Sequence, residues 1–245
     1  MRADQFLVSQ GVVSGRDRAG RLIEEGKVTI GGKPIRKKSE EVTDGEIEII
    51  DDCPFVGRGG LKLEGAFRAF SFSPEGLVCA DIGASTGGFT DCLLRNGAKK
   101  VFAIDSGSNQ LHPSLLSDPR VVSMESTNAR YLSSEDLGTK VDLCVMDVSF
   151  ISQTLLFEAV ASLLKPGGDF ISLIKPQFEV GREKLGKNGI VRKEEDRRFA
   201  VQKVKEAAKE RHFVFSSLAD SPIEGGDGNR EYLIHFVFEG GDGGK

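Results

Sequence analysis

The sequence predicts an α/β chain: a doubly wound, mostly parallel sheet with one late antiparallel strand, preceded by a small N-terminal α+β domain. Three observations carry that expectation. From residue 61 onward, apolar runs of strand length alternate with segments of helical periodicity. A glycine-bearing turn, Gly83 to Gly88, joins the first such run to the next helix, the crossing at which doubly wound sheets receive ligands. Ahead of both, residues 1–50 contain only short elements and a surplus of bases.

In residues 1–50, Ala19, Leu22 and Ile23 fall at helical spacing between a start at Ser14-Gly15 and a stop at Gly26. A hairpin follows, with Val28-Thr29-Ile30 as one strand, Gly31-Gly32 as the turn and Glu46-Ile47-Glu48-Ile49-Ile50 as the returning strand. Residues 51–60, rich in acid, proline and glycine, read as a linker. The large domain spans 61–239. It opens with an amphipathic helix marked by Leu63, Ala66, Phe67 and Phe70, and its strands fall near 77–82, 101–104, 121–124, 141–146 and 169–174, with a further helix after a Ser152 cap. Thr127 to Leu137 is too polar to assign, and residues 240–245 read as a disordered tail.

Composition narrows the function classes. With 39% hydrophobic and 29% charged residues, the chain has material for an ordinary core. No apolar run approaches the roughly 18–20 residues that span a bilayer, and Met1-Arg2-Ala3-Asp4-Gln5 lacks a signal-peptide layout, so a cytoplasmic location is expected. Cys53, Cys79, Cys92 and Cys144 are scattered, and no metal site or disulfide scaffold is expected. The net charge of −4 hides a strong asymmetry. Residues 1–38 hold nine bases against four acids, 39–52 hold seven acids and no base, and 181–211 hold eleven bases against six acids. Basic patches, more than net charge, decide whether phosphate is met.

The run from Arg16 to Gly32 resembles the S-four RNA-binding domain, a small module found in a ribosomal protein, pseudouridine synthases and tyrosyl-tRNA synthetases. Gly15 stands where that family places a serine; the cap passes to Ser14 or is lost at about 1 kcal/mol. The resemblance implies RNA binding, with Arg16, Arg18, Lys27, Lys33, Arg36, Lys37 and Lys38 presented on a common side.

The turn Asp81-Ile82-Gly83-Ala84-Ser85-Thr86-Gly87-Gly88-Phe89-Thr90 is the candidate cofactor loop. Asp105 ends the second strand of this Rossmann-like sheet, where a carboxylate accepts the ribose hydroxyls of a nucleoside cofactor. A dinucleotide site calls for G-x-G-x-x-G and seats pyrophosphate on the helix N-terminus. This loop lacks that spacing, and Asp81 at its entrance would repel pyrophosphate while suiting the amino-acid end of S-adenosylmethionine, directly or through water. Methyl transfer is therefore favoured over hydride transfer, with Asp81, Gly83, Ser85, Thr86, Gly87, Gly88, Phe89, Asp105 and Asp147 as the cofactor-binding candidates.

Transfer of a methyl group to a ribose hydroxyl needs three aligned atoms and a base for a very weak acid. Asp147 closes the fourth strand and Lys175 the fifth, so a doubly wound sheet delivers both to its carboxyl edge. Each is also what a strand shows where it meets water, and Lys62 and Glu231 read as ordinary surface charges.

Taken together, Gly59-Gly60-Leu61-Lys62-Leu63, the loop from Asp81 to Thr90, Met146-Asp147-Val148-Ser149-Phe150, Lys175-Pro176-Gln177-Phe178-Glu179 and Gly228-Asn229-Arg230-Glu231-Tyr232 resemble the TlyA (haemolysin A) family. That family joins an S-four domain to an FtsJ-like RNA methyltransferase. The resemblance implies 2′-O-methylation of cytidine in ribosomal RNA or ribosomal subunits, and a catalytic tetrad of Lys62, Asp147, Lys175 and Glu231. In this assignment Lys175 is the general base, Asp147 orients it, and Lys62 with Glu231 positions the ribose. His112-Pro113-Ser114 replaces aromatic and basic residues of the family pattern, and Ser126 stands where an Arg commonly precedes Thr127-Asn128; both departures bear on RNA target choice. The stretch from Gly181 to Lys193 reads either as a lid over the substrate or as a surface loop. Two rival functions remain: a non-catalytic ribosomal-RNA-binding or assembly factor, and a membrane-active haemolysin, for which no spanning segment or long basic amphipathic helix is present.

Overall fold

The computed structural model describes residues 1–13, 15–24, 26–49, 53–225 and 228–240. Ser14 of the expected cap, Ile50 of the expected strand, Asp51 and Asp52 of the expected linker and residues 241–245 of the expected tail lie outside the described residues. The chain divides into two compact units, Met1–Pro54 and Phe55–Lys245.

In the first unit, α1 (Ala3–Ser9) and α2 (Arg16–Glu24) bury Ala3, Phe6, Leu7, Ala19, Leu22 and Ile23, the one-face spacing of short amphipathic helices. They cover a three-stranded antiparallel sheet of order β2-β1-β3, with β1 at Val28–Ile30, β2 at Lys33–Pro34 and β3 at Ile47–Ile49. Gly31 and Gly32 both take positive φ, as a two-residue hairpin turn demands. The strand returning from that turn is β2, Ile30 opposite Lys33, whereas the expected partner at 46–50 pairs along the other edge of β1, Ile30 opposite Ile47.

The second unit runs α3 (Gly59–Phe70), β4 (Val78–Ile82), α4 (Gly88–Arg95), β5 (Lys100–Ile104), α5 (Pro113–Leu116), β6 (Val121–Met124), α6 (Ser134–Leu137), β7 (Val141–Met146), α7 (Phe157–Leu163), β8 (Leu164–Ile174), α8 (Pro176–Glu179), α9 (Glu194–Lys209), β9 (Phe213–Asp220) and β10 (Tyr232–Phe238). Its sheet has the order β6-β5-β4-β7-β8-β10-β9. The first five strands are mutually parallel, and β10 lies antiparallel between β8 and β9. The core is built from the strands' near-continuous apolar runs, including Ala80, Ile104, Met146, Phe170 and Phe236, against Phe157, Val160, Leu163 and Val204 of the helices.

Three local outcomes differ from expectation. Residues 55–60 belong to the second unit: the Val56 N–H donates to Asp91 Oδ2 at 2.9 Å, and a Cβ on Gly60 would fall 2.3 Å from the Phe55 ring. β8 starts at Leu164, five residues early, because Lys165-Pro166-Gly167-Gly168 is absorbed as a register shift against β7 with Gly167 at φ 78°. The unassigned polar stretch forms a 3₁₀ turn at Ala129–Tyr131 and then α6, whose entry is fixed by the Ser133 N–H on Asp136 Oδ2 at 2.8 Å.

Candidate active site

Because the sheet reverses its winding on either side of β4, the carboxyl ends of β4 and β7 open a crevice. The loop after β4 enters it. Gly83 has φ 84°, and a Cβ there would lie 2.3 Å from the Asp147 carbonyl oxygen. Only glycine lets the cofactor loop and the segment after β7 cross this closely. Gly87, at φ 94°, starts α4 under Leu111 and Leu115.

Of the expected cofactor residues, Ser85 is exposed, Thr86 and Gly83 half-buried, and Gly87, Gly88 and Phe89 buried. Phe89 packs inward against Gly59, joining the loop to α3. The half-buried Asp105 holds the loop in shape, its Oδ2 accepting from the Ser85 N–H and its Oδ1 from the Gly107 N–H, both at 2.7 Å. Each carboxylate oxygen still has a lone pair for a ribose hydroxyl. Asp81 is wholly buried; Thr90 Oγ1 donates to its Oδ2 at 2.6 Å, while Oδ1 has no hydrogen-bond partner among the described residues. Burial, reinforced by the nearby Asp147 and Asp105 and opposed by Thr90, pushes its carboxyl up to about 7.

The four expected catalytic residues, far apart in sequence, come together as two lysine–acid pairs. Lys62 sits on the buried face of α3 beside Leu63 and Ala66, and its Nζ donates to Glu231 Oε2 at 2.5 Å. The two side chains are 10% and 2% exposed, so this pair is largely dry. Lys175 Nζ stands 2.5 Å from Asp147 Oδ1 but off the line of a hydrogen bond, which leaves that oxygen buried and unbonded; the ammonium donates instead to Ser149 Oγ at 2.8 Å. The Glu231 carboxyl is raised above its usual range by burial, against the pull of Lys62 and Lys175 and with a contribution from Asp147. The other three members of the set, Lys62, Lys175 and Asp147, therefore all act on this one carboxyl. Glu231 can join them because β10 runs antiparallel: its entry lies at the edge where β4, β7 and β8 end.

The fixed geometry depends on residues that the sequence did not single out. Glu179, 2% exposed at its side chain, accepts from Ser152 Oγ at 2.6 Å, Gln153 N–H at 2.8 Å and Lys203 Nζ at 3.0 Å. Gln153 in turn accepts from Ser172 Oγ of β8. The segments following Asp147 and Lys175 are thus bolted to each other and to α9. At the mouth, Phe150 is 89% exposed, takes φ 68°, and pairs with Phe178 at 5.5 Å between ring centroids. An exposed aromatic in a strained left-handed conformation is the signal that marks it, and no sequence pattern reports φ.

In the first unit the expected RNA contacts fall around α2. Arg16 donates to Asp4 Oδ2 at 2.9 Å and Arg2 pairs with the same carboxylate at 3.0 Å, which holds Asp4 down at about 2. Lys38 lies along Gly20 and pairs with Glu24 at 3.0 Å. Arg36 and Lys37 are exposed, Arg18 and Lys27 half-buried, and Lys27 follows the far end of α2, its N–H on the Leu22 carbonyl. Arg16 therefore stands at the start of α2, while Lys38 reaches Glu24 at the end of the helix that Lys27 follows.

A doubly wound sheet with an inserted antiparallel strand, a glycine turn facing an acid on the next strand, and a dry lysine–acid constellation at the same edge define a group-transfer enzyme that uses a nucleoside cofactor. Residues 55–238 match the family described as FtsJ-like methyltransferase, and residues 1–47 match the S4 domain. The chain belongs to the FtsJ-like methyltransferase family, and within it to the proteins named TlyA and hemolysin A. It is 42% identical over 236 residues to the 16S/23S rRNA (cytidine-2′-O)-methyltransferase TlyA of Mycobacterium tuberculosis, covering 95% of this chain and 88% of that one. It is 40% identical over 243 residues to hemolysin A of Brachyspira hyodysenteriae, covering 97% and 100%. A solved structure from Streptococcus thermophilus described as a hemolysin superposes with a TM-score of 0.80 at 42% identity, covering 97% of this chain and 88% of that one. Among the described residues no helix is long and apolar enough to cross a membrane, and no group of three His, Cys, Asp or Glu is arranged to hold a metal.

Proposed function

We propose that this chain is a cytoplasmic ribosomal RNA (cytidine-2′-O)-methyltransferase that uses S-adenosylmethionine. The observation that carries the reading is the pairing of Lys62 with Glu231 and of Lys175 with Asp147 beside the glycine loop. S-adenosylmethionine supplies an electrophilic methyl on a sulfonium cation. The residues fit it: Asp105 offers ribose acceptors, and Asp81, at the entrance to the glycine loop, keeps one buried carboxyl oxygen without a partner among the described residues. A dinucleotide pyrophosphate fits poorly beside two carboxyl groups.

Lys175 is the general base. Its nitrogen is held between Ser149 Oγ and Asp147 Oδ1, which aims it for removal of the hydroxyl proton. Asp147, held by the backbone crossing at Gly83, fixes the direction of Lys175; the Lys62–Glu231 pair positions the ribose and balances charge in the dry part of the site. Phe150, exposed at the mouth and packed against the tilted ring of Phe178, offers an aromatic ring on which a nucleobase stacks. In the first unit, Arg16, Arg18, Lys27, Arg36, Lys37 and Lys38 contact the RNA.

The test is Lys175→Ala. Methylation of ribosomal subunits falls to background while S-adenosylmethionine affinity, read by calorimetry, stays close to wild type; undiminished turnover refutes the role. A wild-type chain that binds subunits without transferring methyl groups supports the non-catalytic alternative.

A further inference from the structure

The strap from Gly181 to Lys193 has no part in the chemistry above, yet both its ends are joined to it. It begins six residues beyond Lys175, immediately behind α8. Its far part is tied to Asn229, two residues before Glu231: Asn229 Oδ1 accepts the Val191 N–H at 2.9 Å, and Nδ2 donates to the Gly189 carbonyl at 3.2 Å. Asn229 is 1% exposed, so its amide is committed to the strap rather than to water. Val180, Val191 and Ala200 form a small core of their own, with Leu185 against it. A segment anchored in this way keeps its side chains in register with the tetrad, which an untethered loop does not.

The strap carries five bases and one acid. Lys184 pairs with Asp196 at 3.1 Å and Lys193 with Glu195 at 3.5 Å. Arg182, Lys187 and Arg192 are exposed and form no ion pair among the described residues. Exposed cations without an ion-pair partner, carried on one anchored strap, create a positive potential whose natural counterpart is a chain of phosphates. Two of the three are arginines, whose planar fork matches phosphate oxygens.

We propose that the strap is a phosphodiester clamp: Arg182, Lys187 and Arg192 bind backbone phosphates of the RNA beside the target ribose, with Asn229 setting the clamp's register to the tetrad. This rests on the reading of the chain as an RNA methyltransferase, but the clamp is tested by binding, independently of turnover. The full-length protein carrying Arg182→Gln, Lys187→Gln and Arg192→Gln together is titrated onto ribosomal RNA over a range of salt. Expected are a slope of log affinity against log salt shallower by about 2 and an affinity lower by roughly tenfold near physiological salt. Unchanged S-adenosylmethionine affinity and thermal transition show that the variant is folded. Asn229→Ala, which keeps every cation, weakens RNA binding without shifting the slope. A triple variant whose slope and affinity match wild type overturns the clamp, whether or not the wild type methylates. A wild type that transfers no methyl group to ribosomal RNA, with the slope change intact, overturns the functional reading and leaves the clamp standing.

Discussion

Asp81 is the residue at which the larger unit gives up stability for the sake of its site. Its carboxyl is wholly buried with one oxygen unbonded, and sits at about 7 against the ordinary 3.8. Below pH 4 the folded and unfolded chains both hold the proton. Between about 4 and 7 only the folded chain does, so this group's contribution to stability declines as pH rises through that window and levels off above it. Asp81→Asn removes the titration, and the variant gains on wild type from pH 4 to pH 7 by on the order of 4 kcal/mol. Denaturant melts of both proteins across that range check this; parallel curves exclude it. Asp147 and Lys175 were legible in sequence because a charge closing an apolar strand lands at the sheet's carboxyl edge. Lys62 and Glu231 were not legible from pattern: one lies on a helix face and the other ahead of a strand, and only the resemblance joined them to the tetrad. Their pairing at 2.5 Å is a property of the fold.

At the scale of elements, Glu179 shows how short segments are kept in place. α8 is a single turn and the segment after β7 is irregular, so neither has a hydrogen-bond ladder to fix it. The buried carboxylate of Glu179 substitutes for one, tying Ser152, Gln153 and Lys203 to the turn that follows Lys175. Glu179→Ala leaves buried donors unmet and costs about 1–3 kcal/mol. It also lowers kcat by about tenfold or more, because small misplacements of reacting groups are expensive. Single-turnover methylation alongside thermal melts checks both, and Glu179→Gln, which keeps one acceptor, recovers part of each. The elements themselves were largely readable, since buried parallel strands appear as continuous apolar runs. β9 was not: it is the edge of the sheet, with Val214, Phe215 and Leu218 exposed, so its residues follow no simple alternation. The start of β8 was hidden by Lys165-Pro166-Gly167-Gly168, which carries every local mark of a turn and is instead spliced into the ladder.

For the whole molecule, the division of labour follows from two separate apolar cores, one among residues 3–49 and one in the larger unit. Removing residues 1–54 is expected to leave S-adenosylmethionine affinity unchanged while RNA affinity falls by about tenfold or more, since phosphate contacts are lost with the small domain. Calorimetry with the cofactor and a salt-dependent RNA titration separate the two effects; loss of cofactor binding in the truncated chain contradicts it. That two-part organisation was legible from the shift in composition and charge after residue 50, though not the boundary, because Phe55 to Gly60 combine linker-like residues with close packing onto α3 and α4. The strand order has one more consequence, which concerns time. β10 is made after β9 yet takes the place between β9 and β8, so a growing chain leaves β9 without a neighbour until Phe238 has been synthesised. Glu231 immediately precedes that late strand, so its pairing with Lys62 forms only after the final insertion has closed the sheet.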